Sequence, residues 1–235
     1  MQIIDSHCHI LPAIDDGSKS VEESLEMLYM MKSQGVDVAI ATPHYYATKN
    51  SVDQFLINRA KSFENLKSKL DNNCPQIILG AETAFYFDMS KDRNLEKLCI
   101  EGTNTLLLEL PTRTMWGDYE FAEIQNIVFN RDINVVIAHY ERYKETQGKN
   151  SYYLDLLNLP VYIQITSDEM GSLFKGKENL KLFQLNQAHL LGSDAHNTQD
   201  RAPSLYRARK IIKNKLGQSK LDEIDAIGAK LFLGK

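Results

Sequence analysis

Short apolar runs in this chain end, one after another, on groups that bind metal ions. His7 and His9 close the opening run, His44 follows VAIATP, Glu82 follows QIILGA, Glu109 follows NTLLL and His139 follows INVVIA. Asp194 and His196 come just past the run that ends at Gly192. Packing gives no reason to place polar residues where consecutive strands stop. A metal centre does, because imidazole and carboxylate ligands must converge on one point from many parts of the chain. The fold must therefore bring the ends of several strands to a single mouth.

Helical patterns fill the gaps between these runs. Strands are expected over residues 2–5, 36–42, 76–81, 105–110, 133–138, 161–165 and 189–191, and helices over 20–35, 52–70, 119–130, 151–157, 178–185 and 204–215. Ser20 with Glu23 is a capping-box signature at the first helix start, and Gly35 marks its end. Near-continuous apolar strands alternating with helices read as βαβ units and a parallel sheet. An open sheet gathers ligands at one switch point, whereas a closed barrel brings every strand end to one mouth. The expectation is a distorted, TIM-like (β/α)7 barrel. With no internal repeat and no Pro/Gly-rich linker, residues 1–235 are expected to form one domain.

Composition narrows the partners. A formal charge of −4 argues against a nucleic-acid binder, and the basic residues between Arg207 and Lys220 read as the wet side of a terminal helix. Three cysteines with no CxxC spacing suggest a reducing compartment, and no apolar run reaches the ~20 residues needed to cross a bilayer. The opening stretch, broken by Asp5, His7 and His9, does not read as a signal peptide. The expected location is the cytoplasm, with no membrane insertion.

Residues i and i+2 share a strand face, so both imidazoles of the HxH pair can aim into the mouth. Asp15 and Asp16 precede Gly17; either can reach a metal, and the alternative is an Asp-Gly turn with Asp16 as its turn residue. With one of them added, nine nitrogen or carboxylate groups exceed what one tetrahedral zinc uses, which points to two or three ions. Closely spaced ions suit phosphoester hydrolysis. Imidazole and carboxylate without thiolate suit manganese, iron or zinc. Arg142 and Arg201 follow His139 and His196 closely and are expected to flank the mouth, where a guanidinium fork matches phosphate oxygens. Cys8, between the two histidines, is expected in the core. His189, near the start of its strand, is expected to be structural.

The segments DSHCHILPAIDDGSKSVEESLEML, ATPHY, GAE, LLLEL, IAHYERY and GSDAHN resemble the PHP (polymerase and histidinol phosphatase) superfamily, and within it the bacterial tyrosine-phosphatase branch of CpsB/YwqE type. The resemblance runs from Ile4 to about Pro203. It implies a distorted (β/α)7 barrel with a trinuclear site, usually of manganese. The ligands it implies are His7, His9, Asp16, His44, Glu82, Glu109, His139, Asp194 and His196, with Asp15 as the rival of Asp16. It assigns substrate phosphate to Arg142 and Arg201. The implied substrate is phosphotyrosine on a bacterial tyrosine kinase that controls capsule or exopolysaccharide synthesis. Tyr140, Thr166 and Ala202 stand where the family often has proline, asparagine and proline, departures that touch substrate preference and no implied ligand. The alternative reading is a related phosphoesterase acting on a small ester such as histidinol phosphate or a sugar phosphate. A third is an amidohydrolase, whose bridging ligand is typically a modified lysine where this chain carries Glu82 and Glu109.

Overall fold

The structure, a computed structural model, describes residues 1–234. Its first strand, β1 (Ile4–Cys8), pairs in parallel with β2 (Val38–Ala41), which pairs with β4 (Gln76–Leu79). A second run of parallel pairs joins β3 (His44–Tyr45), β5 (Glu82–Ala84), β6 (Thr105–Glu109), β7 (Asn134–Ile137), β8 (Tyr162–Thr166) and β9 (Leu190–Gly192). The ring closes between its ends: Cys8 bridges to Ala195, and the amides of Asp194 and His9 donate to His7 O and Ala195 O at 2.8 Å each.

Among the described residues nine strands stand where seven were expected, because β3 and β5 follow two of the expected strands, 36–42 and 76–81, as short continuations beyond their expected ends. Pro43, which has no amide hydrogen, separates β2 from β3, and Gly80–Ala81 separate β4 from β5. The chain continues in line across both breaks, so the ring still has seven staves. The architecture is the expected distorted, TIM-like barrel.

One irregularity in β1 decides where the histidines face. Asp5 pairs with Ala39 and Cys8 with Ala41, so three steps on β1 match two on β2. This bulge puts Cys8 on the outer side with Ala39 and Ala41, in the main core, as expected for that cysteine. His7 faces inward instead: a Cβ added to Gly192 would lie 2.7 Å from His7 Cβ and 2.6 Å from Gln164 Nε2. Glycine at 192 is what lets these two side chains share one layer inside the barrel.

The helices are α1 (Val21–Ser33), α2 (Val52–Lys67), α3 (Asp118–Asn130), α4 (Lys144–Gln147), α5 (Ser151–Asp155), α6 (Lys175–Gln184), α7 (Leu205–Leu216) and α8 (Gln218–Leu233). Ser20 caps α1 by accepting from Glu23 N, as expected, but the Glu23 carboxylate takes the amide of Lys19 rather than that of Ser20. Gly35, at φ +87°, ends α1. The basic stretch near the C-terminus was expected on one helix; Gly217, at φ +92°, divides it between α7 and α8. Helix α8 lies outside the sequence expectation, and its role is structural. Leu231 and Phe232 join Ile4, Val38, Val136 and Leu190, which come from alternating strand positions, in a cluster that fills the barrel interior. Leu231 O also accepts from Thr105 Oγ1 at the start of β6. The α8 end therefore plugs the bottom of the barrel, opposite the strand ends that carry the polar cluster. Among the described residues no helix is long and apolar enough to cross a membrane.

Candidate metal centre

Six ligand-type side chains are buried together at the top of the barrel: His7, His9, Glu82, His139, Asp194 and His196. Asp16, His44 and Glu109 complete the group toward solvent, with side chains 65%, 14% and 20% exposed. Glu82 sits at the centre. Its Oε1 lies 2.7 Å from His139 Nε2, and its Oε2 lies 2.8 Å from His44 Nδ1, 3.2 Å from His9 Nε2 and 3.3 Å from His7 Nε2. Asp194 Oδ1 faces His7, His9 and His196 at 3.4–3.5 Å.

Ligand-type atoms fall into three groups small enough to hold an ion: His9, Asp16, His44 and His196; His7, His9 and Asp194; and His44, Glu82 and Glu109. His139 falls outside these groups and touches Glu82 and Glu109 instead. The donor set fits divalent cations on a second count. His196 Nε2 is buried without a hydrogen-bond partner, an arrangement that is costly unless something else takes its lone pair.

The rings are oriented from behind. His9 Nδ1 donates to Asp15 Oδ2 at 2.7 Å, His196 Nδ1 to Asp194 O at 2.8 Å, and His7 Nδ1 lies 3.3 Å from Gln164 Oε1. Each contact fixes the tautomer that turns Nε2 toward the cluster, the usual outer support of a metal-ligating histidine. Gln164 Oε1 also accepts from the amide of His139 at 2.9 Å. The sequence reading gave Gln164 no role; its signal is one polar residue in the middle of the strand YIQIT. His139 and Asp194 adopt left-handed backbones, at φ +32° and +52°, a strain of the kind that functional sites hold in place.

The two aspartates separate cleanly. Asp15, 6% exposed at its side chain, turns inward and accepts from His9 Nδ1 and from the amides of Gly17 and His44 at 2.9 Å each. Burial pushes its carboxyl up, but these hydrogen bonds and the His9 charge outweigh that and bring it down to about 2. Asp16 faces His44 Nε2 at 3.4 Å and His196 Nε2 at 3.6 Å.

Electrostatics follow the same layout. Burial opposes ionisation of Glu82 and Asp194, yet His7 and the neighbouring imidazoles hold both well below the usual carboxylate range. Burial and the Glu82 charge raise Glu109. His196 is pushed down to about 4 by burial and the His9 charge. Cys8 is buried, donates to Ile40 O, and is held far above the thiolate range by burial, so it supplies no ligand.

Both arginines reach the cluster. Arg142 stands on a 3-10 helix, Tyr140–Tyr143, directly after the left-handed turn at His139. Arg201 is returned by a loop in which the Asn197 side chain accepts from the Gln199 and Arg201 amides, and Arg201 O accepts from His196 N. Their Nη2 atoms both pair with Asp194 Oδ2, Arg201 at 2.7 Å. They are 34% and 40% exposed, at the rim of the mouth. His189 lies away from the site, its Nδ1 accepting from the Ile163 amide.

A sequence model of the family described as "Capsular polysaccharide synthesis, CpsB/CapC" matches residues 3–233. The chain belongs to the CpsB/CapC family. It is 29% identical over 233 residues to the tyrosine-protein phosphatase CpsB of Streptococcus agalactiae, covering 94% of each chain. It is 30% identical over 224 residues to the putative tyrosine-protein phosphatase CapC of Staphylococcus aureus, covering 89% of this chain and 84% of that one. It also superposes with a TM-score of 0.82, at 24% identity, on a structure from a study of YwqE from Bacillus subtilis and CpsB from Streptococcus pneumoniae, described there as unique metal-dependent tyrosine phosphatases. That superposition covers 99% of this chain and 95% of the other. The CpsB/CapC fold is thus shared over almost the whole chain.

Proposed function

We propose that this chain is a metal-dependent protein-tyrosine phosphatase. It would act on phosphotyrosine of a bacterial tyrosine kinase that regulates capsule or exopolysaccharide synthesis. The observation that carries the reading is the convergence at Asp194: imidazoles on one carboxylate oxygen, two rim guanidiniums on the other. Its relatives CpsB and CapC bear the same activity in their names.

His7, His9, Asp16, His44, Glu82, Glu109, His139, Asp194 and His196 would hold the cations, two or three in number. Manganese is the metal we favour from the family resemblance; iron and zinc suit the same donors. Bound divalent cations supply Lewis-acid polarisation and neutralise charge on the attacking and leaving oxygens. Arg142 and Arg201 hold the non-bridging phosphate oxygens, and Asp194 keeps both guanidiniums aimed at one point. Loose phosphoryl-transfer transition states need little beyond such positioning and charge stabilisation. Asp15 and Gln164 keep His9 and His7 in register.

The open rim favours a protein substrate. A small ester is normally enclosed by its site, whereas here Asp16 and both arginines face solvent. Three free thiols are compatible with a cytoplasmic enzyme. The test is hydrolysis of a phosphotyrosyl peptide by chelator-stripped protein, with and without manganese. Manganese-restored turnover is expected. Silence from protein shown to carry metal, together with turnover of histidinol phosphate or a sugar phosphate, would replace this reading by the small-ester one.

A further inference from the structure

We propose that Tyr46 and Ile14 form the wall that receives the ring of an aromatic leaving group, so that the site selects aryl over alkyl phosphate monoesters. The inference rests on the phosphatase reading and names a specificity determinant within it.

A cavity of about 300 Å³ opens directly beside the candidate ligands, lined by Ile14, Asp15, Asp16, His44, Tyr46 and Lys49 among others. Strand alternation places Tyr46 there. Tyr45 turns away into the core, 3% exposed and 5.3 Å from the Phe55 ring, while Tyr46, one residue past β3 in extended chain, falls on the side of His44. The Tyr46 ring stands 5.2 Å from the His44 ring.

A turn then clamps the tyrosine. The amides of Lys49 and Asn50 both donate to Tyr46 O, at 2.9 and 3.2 Å, and the return of the chain sets the Lys49 ammonium 4.3 Å from the Tyr46 ring centre. A cation over a ring face fixes the ring's orientation. A leaving group that exits the cluster on its His44 side meets this cavity and the half-buried Tyr46 ring. A phenyl ring there finds an aromatic and an aliphatic partner; a short alkyl group has too little surface to reach them.

The test compares phenylphosphonate and methylphosphonate binding to manganese-loaded protein by calorimetry, with manganese content measured for each variant. In Tyr46→Ala, phenylphosphonate is expected to weaken about three- to tenfold, the range for an aromatic contact, with methylphosphonate affinity held. Tyr46→Phe keeps the ring and should keep the phenyl preference. Lys49→Met, which releases the clamp, should lose part of it, and it serves if Tyr46→Ala does not fold. Kinetically, the loss should appear in KM for phenyl phosphate rather than in kcat. Equal weakening of both phosphonates, or no change in either, would overturn the proposal. A wild-type protein that prefers phenylphosphonate through Tyr46 yet hydrolyses no phosphoester would sink the activity and leave the ring wall standing.

Discussion

Replacing each of the two neighbouring aspartates by alanine should separate a supporting residue from a ligand. Asp15→Ala strips the acceptor from three donors: His9 Nδ1, at 2.7 Å, and the amides of Gly17 and His44, at 2.9 Å. A buried donor left without a partner costs about 1–3 kcal/mol. His44 is half-buried and water can reach part of the loop, so the lower end applies and the sum is about 3 kcal/mol. Asp16→Ala removes a side chain that is 65% exposed and should change stability by no more than about 0.5 kcal/mol. Metal binding should reverse in kind. Asp15→Ala misorients His9 and should weaken manganese binding by roughly 10- to 100-fold without deleting a position. Asp16→Ala takes the only carboxylate from the group formed with His9, His44 and His196, and should abolish one manganese equivalent. Urea unfolding of chelated protein at pH 7, above the Asp15 carboxyl at about 2, gives the first quantity, and manganese calorimetry the second. The reasoning is refuted if Asp16→Ala costs more than Asp15→Ala in urea, or if Asp16→Ala binds manganese with wild-type stoichiometry and affinity.

Three further outcomes are expected. Phe232→Ala, at a position 2% exposed in the barrel plug, should cost about 3–5 kcal/mol and lower the melting temperature by roughly 6–20 °C, with manganese affinity held; a loss below 1 kcal/mol would show that α8 is not a plug. Gln164→Leu leaves the His139 amide and His7 Nδ1 without their acceptor and should weaken manganese binding by roughly tenfold or more, read by calorimetry; unchanged affinity would remove Gln164 from the support of the site. Burial lowers the His189 pKa below 6.5, so the unfolded chain takes up this proton before the folded one does. Its contribution to stability is therefore present at neutral pH and declines as pH falls below about 6.5; an NMR titration midpoint for His189 at or above 6.5 would contradict this.

The candidate site was legible because its chemistry recurs at one topological place. A histidine at 139 or a glutamate at 82 means little alone; each gains meaning from following an apolar run, as the others do. What the pattern could not carry was anything set by neighbouring strands. The bulge between Asp5 and Cys8 exists only relative to β2, so its effect on His7 is absent from β1 read alone. The choice between Asp15 and Asp16 turns on the direction of one loop. Gln164 looks like a lone polar intrusion until His7 and the His139 amide are beside it. Helix α8 is a different case. Leu221, Ile224, Gly228, Leu231 and Phe232 recur at helical spacing, a local signal, but its destination beneath the barrel is a property of the closed ring.

The seam between β1 and the segment after β9 also sets a schedule. His7 and His9 leave the ribosome first among the site residues, while Asp194 and His196, which face them, follow almost 190 residues later. At ordinary translation speeds that interval is about 10 to 40 s. Throughout it the nascent chain carries an exposed HxH pair with no enclosed centre to receive a cation, and β1 lacks its closing neighbour. The two candidate ligand groups that include His9 are therefore completed only at the last stage of synthesis, whereas His44, Glu82 and Glu109 are all present earlier, and an interrupted chain that stops short of Asp194 lacks the carboxylate on which both arginines meet.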